Sequence, residues 1–165
     1  MKILYKAVSL ALLSAVLLLS SCGGERGIRG DEYTEFYNSV ALKIGFSTEG
    51  QIYEEDELRG FSAFNGIFTV CFTLDREGYI DYCNISTSME FGRTVKDEKG
   101  LHEALLWASY LAVPFYKNGT EYTEEDISKI AGMLLASFDE DVPFYHMVCR
   151  GVKNEDGFEI SFLRA

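Results

Sequence analysis

The chain has 165 residues, 15 of them basic and 26 acidic, for a formal net charge of −11 at pH 7. That balance leaves no basic face for phosphates, so no nucleic-acid partner is expected. The length suits one domain, which at this size buries roughly 68–70% of its unfolded surface and so has a real core.

The N-terminus has three parts. Lys2 and Lys6 supply a short positive region, Ala7 to Leu19 is an uncharged apolar run, and Leu19-Ser20-Ser21-Cys22 places a cysteine behind two small residues. The run has the length of a signal-peptide core and is too short for a comfortable bilayer span. Together these features resemble the lipobox signal of bacterial lipoproteins, over the first two dozen residues only. The resemblance implies that residues 1–21 are a signal peptide and that Cys22 becomes the first residue of the mature chain. In that class the cysteine thiol is diacylated through a thioether and the new amine is usually acylated too, so Cys22 would be the lipidation site. An ordinary cleaved signal that ends near a cysteine is the alternative reading. Two or three acyl chains hold far better than one, because each buried CH₂ adds ~0.8 kcal/mol.

The resemblance makes the membrane a partner through Cys22 and the location extracytoplasmic. Gly23 follows Cys22 where an Asp would retain an enterobacterial lipoprotein at the inner membrane, which favours the outer membrane where the organism has one. Removing Lys2 and Lys6 leaves thirteen cations against twenty-six acids, a balance of −13. Charge therefore cannot hold the mature chain on anionic lipid, and the acyl chains must.

Residues 22–30, rich in Gly and charge without apolar periodicity, read as a flexible tether, and 31–165 as a single domain. Arg29-Gly30-Asp31 matches a cell-adhesion tripeptide, but Asp31 stands where a helix N-cap is expected. Tyr33, Phe36, Tyr37, Val40, Ala41 and Ile44 fall on one face of a first helix, 31–44, with Gly45 placed to end it. The pattern is mixed from Phe46 to Asn65. Glu54-Glu55-Asp56-Glu57 has the oxygens of a cation site but not the spacing or glycine turn of a calcium loop. A solvated loop is the expectation, and no metal or cofactor is called for.

Phe68, Val70, Phe72 and Leu74 alternate with Thr69, Cys71, Thr73 and Asp75. The pattern resumes at Tyr79 to Ile85 after Arg76-Glu77-Gly78. This predicts a hairpin with a three-residue loop and Gly78 in the left-handed position. Pairing Asp75 with Tyr79 sets Leu74 against Ile80, Phe72 against Tyr82, Val70 against Asn84 and Cys71 against Cys83. At a hydrogen-bonded pair the Cα atoms stand ~5.5 Å apart, inside the disulfide range. A Cys71–Cys83 disulfide and two packed thiols both stay open. A metal would need further ligands on that face, where Asp81 is the only obvious one.

Gly100 to Val113 reads as the second helix, with Leu101, Ala104, Leu105, Ala108, Leu111 and Ala112 on its stripe. Trp107 and Tyr110 widen that stripe, and Pro114 is expected to stop the helix. Residues 116–121 suggest a small hairpin on Asn118-Gly119, or a helix end followed by loop. Thr123 to Asp126 resembles a capping box opening a third helix, whose stripe is Ile127, Ile130, Ala131, Leu134 and Phe138. Phe144 to Val152 and Phe158 to Leu163 read as strands around a turn at 154–157. Val-Pro-Phe-Tyr occurs at 113–116 and again at 142–145, as if both stop a helix and start an extended segment. The fold expected is α+β, a two-layer domain of about four to five antiparallel strands on three helices.

Candidate chemistry is sparse. His102-Glu103 begins like a zinc-protease helix, but Leu106 stands where the second His must be. His146 and Cys149, within one strand, would point to opposite faces. No nucleophile elbow, phosphate loop or Cys-x-x-Cys occurs. The leading expectation is a non-enzymatic envelope lipoprotein that binds a protein, peptide or glycan. The alternatives are a small hydrolase, with His146 or His102 beside a distant carboxylate or thiol, and an inhibitor-like protein using the loop Glu49 to Gly60.

Overall fold

The computed structural model describes residues 27–46, 53–55, 58–93, 95, 97–117 and 119–165, with the backbone alone described at 53–55. The signal peptide, Cys22 and the first part of the tether lie outside these residues, as does most of the acidic 49–57 stretch. In chain order the elements are α1 (Gly30–Lys43), β1 (Tyr53–Glu55), β2 (Leu58–Ala63), β3 (Phe68–Leu74), β4 (Ile80–Thr87), α2 (Met89–Gly92), α3 (Glu98–Lys117), α4 (Glu124–Ala136), β5 (Val142–Phe144), β6 (Met147–Asn154) and β7 (Gly157–Arg164).

The α+β class holds, with seven strands and four helices among the described residues rather than four or five strands on three helices; the added helix is the single turn α2, in a stretch expected to be a polar connection. The strands form one antiparallel sheet in the order β1-β2-β3-β4-β7-β6-β5. Two meanders, β1 to β4 and β5 to β7, join where β4 pairs with β7. The strands missed from sequence are short or precede Asn65, where no alternation is visible. The expected 144–152 strand is two strands, β5 and β6, split by a turn at Tyr145 and His146.

The first helix begins one residue earlier than expected. Asp31 is not its N-cap: Arg29 is, and the Glu32 carboxylate accepts the Arg29 backbone N–H at 3.3 Å. Ile28 donates no side chain to solvent (6% exposed), its carbonyl accepts the Ile80 N–H at 3.0 Å, and the Gly30 N–H reaches Gly78 O at 3.1 Å. Residues 28–30, read as tether, are therefore part of the domain. At the other end Gly45 adopts φ +82°, and the N–H groups of Phe46 and Gly45 close back on Ala41 and Leu42. This is the Schellman ending that favours glycine because it has no Cβ.

Pro114 does not stop α3, which runs on to Lys117. The proline removes one N–H from the last turn and leaves the Tyr110 carbonyl without its helical donor. Burial of the following residue offsets this. Phe115 stacks on Tyr33 of α1 at 5.2 Å and on Phe162 of β7 at 4.6 Å, so leaving the helix there would empty the middle of the core. Residues 119–121 then form no hairpin. The α4 capping box forms as expected: Thr123 Oγ1 accepts the Asp126 N–H at 3.2 Å and the Asp126 carboxylate accepts the Thr123 N–H at 2.8 Å.

The core lies between the helices and one face of the sheet. The row Phe72–Cys83–Phe162–Cys149–Val142 crosses five strands, beside the row Phe61–Val70–Ile85–Ile160–Gly151. Two buried tyrosines tie α1 into it through polar tips. Tyr33 OH donates to Leu111 O at 2.9 Å, and Tyr37 OH accepts the Phe64 N–H at 2.7 Å.

Two outcomes follow from this packing. Phe115→Ala should lower stability by ~3–5 kcal/mol, as large-to-small changes at fully packed aromatic sites do, with urea unfolding as the measurement. The Asp126 carboxyl is pulled down to about 2, first by the Lys117 ammonium at 2.6 Å and then by Thr123. An unfolded Asp titrates near ~3.9, so this interaction stabilises the fold above that value and is lost as pH falls toward 2. The melting temperature of Asp126→Asn should lie below wild type at neutral pH, and the gap should close between about pH 4 and pH 2.

Candidate functional site

The β3–β4 hairpin decides which side chains meet solvent on the uncovered side of the sheet. Its loop is as expected, with Gly78 at φ +87° and Asp75 N–H donating to Tyr79 O at 2.8 Å. Leu74 pairs with Ile80, but Thr73 pairs with Tyr82. Asp81 is an extra residue, a β-bulge, whose carboxylate accepts the Thr73 hydroxyl. Beyond the bulge every pair moves by one, because a single inserted residue reverses the facing of all that follow.

Cys71 therefore faces Asn84, and Cys83 faces Phe72. The two cysteines expected to oppose one another lie on opposite sides of the sheet, and the Cys71–Cys83 disulfide does not form. Cys83 is fully buried on the helix-covered side of β4, and Cys71 is partly exposed on the other side of the sheet. Burial pushes the Cys83 thiol far above its ordinary range and the Cys149 thiol up to about 12. Neither is a nucleophile near neutral pH, since the thiolate is the reactive form.

The uncovered face has three rows. Gly60, Cys71, Asn84, Ser161 and Arg150 form the middle one; Ser62, Thr69, Ser86, Glu159 and Val152 lie on one side of it, and Leu58, Thr73, Tyr82, Leu163 and Val148 on the other. Of these fifteen positions only Glu159 and Arg150 are charged, in a chain that is one quarter charged. Arg150 is held by both oxygens of Asp141, at 2.8 Å each. In the middle, Asn84 donates to Ser161 Oγ at 3.2 Å, with Tyr82 OH 3.5 Å from the same oxygen. Val152 is 54% exposed and Leu163 43%. The middle of the surface is polar and sparsely charged, with apolar groups at its margins. Sequence reasoning missed it because the bulge hides the facing of β4; only the run of Ser, Thr and Asn at alternate positions hints at it.

Among the described residues neither histidine is brought to a carboxylate. His102 is exposed near the start of α3. His146 sits in the β5–β6 turn, and its buried Nε2 has no hydrogen-bond partner. It lines a small space with Gly27, Ile28, Phe115, Tyr145 and Met147. No group of three His, Cys, Asp or Glu side chains converges among the described residues. A groove of about 650 Å³ lies beside α1, lined by Arg29, Glu32, Glu35, Ser39, Tyr79 and Thr120. Arg29 is committed there, pairing with Asp31 at 3.1 Å and donating to Glu77 O at 3.1 Å. That hydrogen-bonded pair raises the guanidinium's pKa and lowers the carboxyl's. It also occupies the charged ends of the Arg-Gly-Asp tripeptide within the domain.

Comparison of the chain with protein-family models, with curated proteins and with solved structures finds no match.

The different settings of the thiols give a direct check on the register. In the native protein a thiol reagent should modify Cys71 and leave Cys83 and Cys149 until the protein unfolds, as counted by mass spectrometry. Mild oxidation should leave residues 71 and 83 unlinked, and a peptide pair joined through them would restore the unbulged register.

Proposed function

We propose that this is a lipid-anchored protein of the bacterial cell envelope, and that its domain is a binding module rather than a catalyst. The partner is a protein, and it docks on the uncovered sheet face. One observation carries this reading: in a strongly acidic chain, the fifteen positions of these three rows hold one carboxylate, Glu159, and one guanidinium, Arg150, and the carboxylates that reach the face from beside it are taken up, Asp141 by Arg150 and Asp81 by the Thr73 hydroxyl. Depletion of charge with aromatic and apolar groups present marks the centre of protein interfaces. Tyr82, Leu163, Val148 and Val152 supply the apolar part, and Asn84, Ser86 and Ser161 supply hydrogen-bond partners.

Support for the anchor comes from the lipobox resemblance ending at Cys22. Among the described residues no helix is long and apolar enough to cross a membrane, and acyl chains on Cys22 would supply the hold. Neither histidine meets a carboxylate, so the arrangement that would favour a small hydrolase is not formed by the described residues.

The test is site-specific photo-crosslinking in the native envelope. A photoreactive side chain at Ser161 should give a discrete protein adduct, and one at the exposed Glu125 of α4 should not. Leu163→Arg in the Ser161 probe should reduce the adduct at least tenfold while leaving the melting temperature within about a degree, as a surface change does. Equal adducts from both probe positions, or none from Ser161, would remove the sheet face as the docking site.

A further inference from the structure

We infer that the domain sits on the bilayer by the sheet end that carries Tyr79 and Tyr145, with both rings at the level of the lipid headgroups. This rests on the lipidation of Cys22 proposed above and adds to it an orientation and a second, weak contact with lipid.

The chain enters the domain through a segment that is buried and hydrogen-bonded to the sheet. Ile28 is buried, and its carbonyl and the Gly30 N–H are bonded to Ile80 and Gly78 on the β3–β4 hairpin. Arg29 bridges to Tyr79 in the same place. From Cys22 to Ile28 is six residue steps, which span at most ~22 Å in any conformation. A domain of this size has a radius of gyration of ~14 Å and so a diameter of more than ~30 Å. A leash shorter than the body it holds cannot wrap around it, so the opposite end of the sheet, with the 154–157 turn, cannot be the one turned to the membrane.

The chain leaves the domain between two tyrosines. Gly27 borders the groove that Tyr79 lines and also the small space that Tyr145 lines. Tyr145 is 47% exposed at the tip of the β5–β6 turn, with φ +52°, a conformation that bulky side chains rarely adopt. Its ring stands over His146 with centroids 4.0 Å apart. A ring held outward at such a tip suits an interface where one end is apolar and the other wet, which is where tyrosine concentrates at membranes. This end has no basic patch: Arg29 pairs with Asp31 at 3.1 Å and Arg164 with Asp75 at 2.8 Å, and Arg76 stands beside Glu77 at the hairpin tip, with Glu55 in β1 at the same end of the sheet. The contact is therefore with zwitterionic headgroups through the rings, and not with anionic lipid through a basic patch.

The orientation sets the long axis of the strands away from the bilayer. The uncovered face is then presented sideways, where a partner anchored in or standing on the same membrane can reach it.

The experiment uses full-length protein recovered from its membrane and reconstituted in phosphatidylcholine vesicles with brominated acyl chains. In a Trp107→Phe background, tryptophan replaces either Tyr145 or Met89, the latter an exposed side chain (60%) that follows β4 at the opposite end. Mass spectrometry of the N-terminal peptide reports acylation of Cys22 in the same samples. With Cys22 acylated, Tyr145→Trp should be quenched at least twice as strongly as Met89→Trp. Quenching at 145 should not change when phosphatidylglycerol or salt is added. Equal quenching at the two positions, or none at 145, in acylated protein would overturn the orientation alone. Quenching that requires phosphatidylglycerol and disappears with salt would overturn the role of the tyrosines. A mature Cys22 without acyl chains would overturn the anchoring and the orientation together.

Discussion

One inserted residue, Asp81, controls what each side of this sheet presents. Without it, β4 would turn Tyr82 and Asn84 toward the helices and Cys83 toward solvent. With it, Cys83 and Ile85 join the core and Tyr82, Asn84 and Ser86 line the open face. Because β4 is the strand that joins the two meanders, the facing of β7 and β6 has to agree with it. Asp81 is held in its irregular position by the Thr73 hydroxyl across the ladder. A bulge of this kind bends and twists the strand locally, here next to the loop against which the N-terminal segment docks.

The two Val-Pro-Phe-Tyr segments show how far surroundings outrank local preference. At 113–116 the segment finishes a helix rich in Ala and Leu, and its proline costs one backbone hydrogen bond in the last turn. At 142–145 it is an edge strand and the start of a turn, with Pro143 exposed where no ladder donor is needed. The shared feature is the phenylalanine. Phe115 and Phe144 both pack on Phe162, at 4.6 Å and 5.2 Å, one from the helix layer and one from the sheet edge. The same four residues are used twice to place a ring against one centre, by two different backbone routes.

Anchor, orientation and open face make one arrangement if Cys22 carries lipid. A short leash joins the bilayer to a segment whose backbone is bonded to the β3–β4 hairpin. That hairpin, through its bulge, also decides the chemistry of the face offered to a partner. With a chain charge of −11, an acidic partner meets least like-charge repulsion where carboxylates are few, which is on this face.

The residues alone determined the class of the fold, helices α1 and α4, the hairpin loop at Gly78 and the capping box at Thr123. Each of these depends on contacts within a few residues, so spacing and side-chain type are enough. The lipobox resemblance is legible for the same reason, as a short linear pattern. Tertiary structure alone decided the bulge at Asp81, and with it the separation of Cys71 from Cys83. It also decided the continuation of α3 through Pro114, the docking of Ile28, and the strands β1, β2 and β5. In each case the deciding contact comes from residues distant in sequence: Thr73 for Asp81, Tyr33 and Phe162 for Phe115, Ile80 for Ile28, and neighbouring strands for segments too short to show a period. The open face belongs to this second group, because a surface made from five strands exists only once their registers are set.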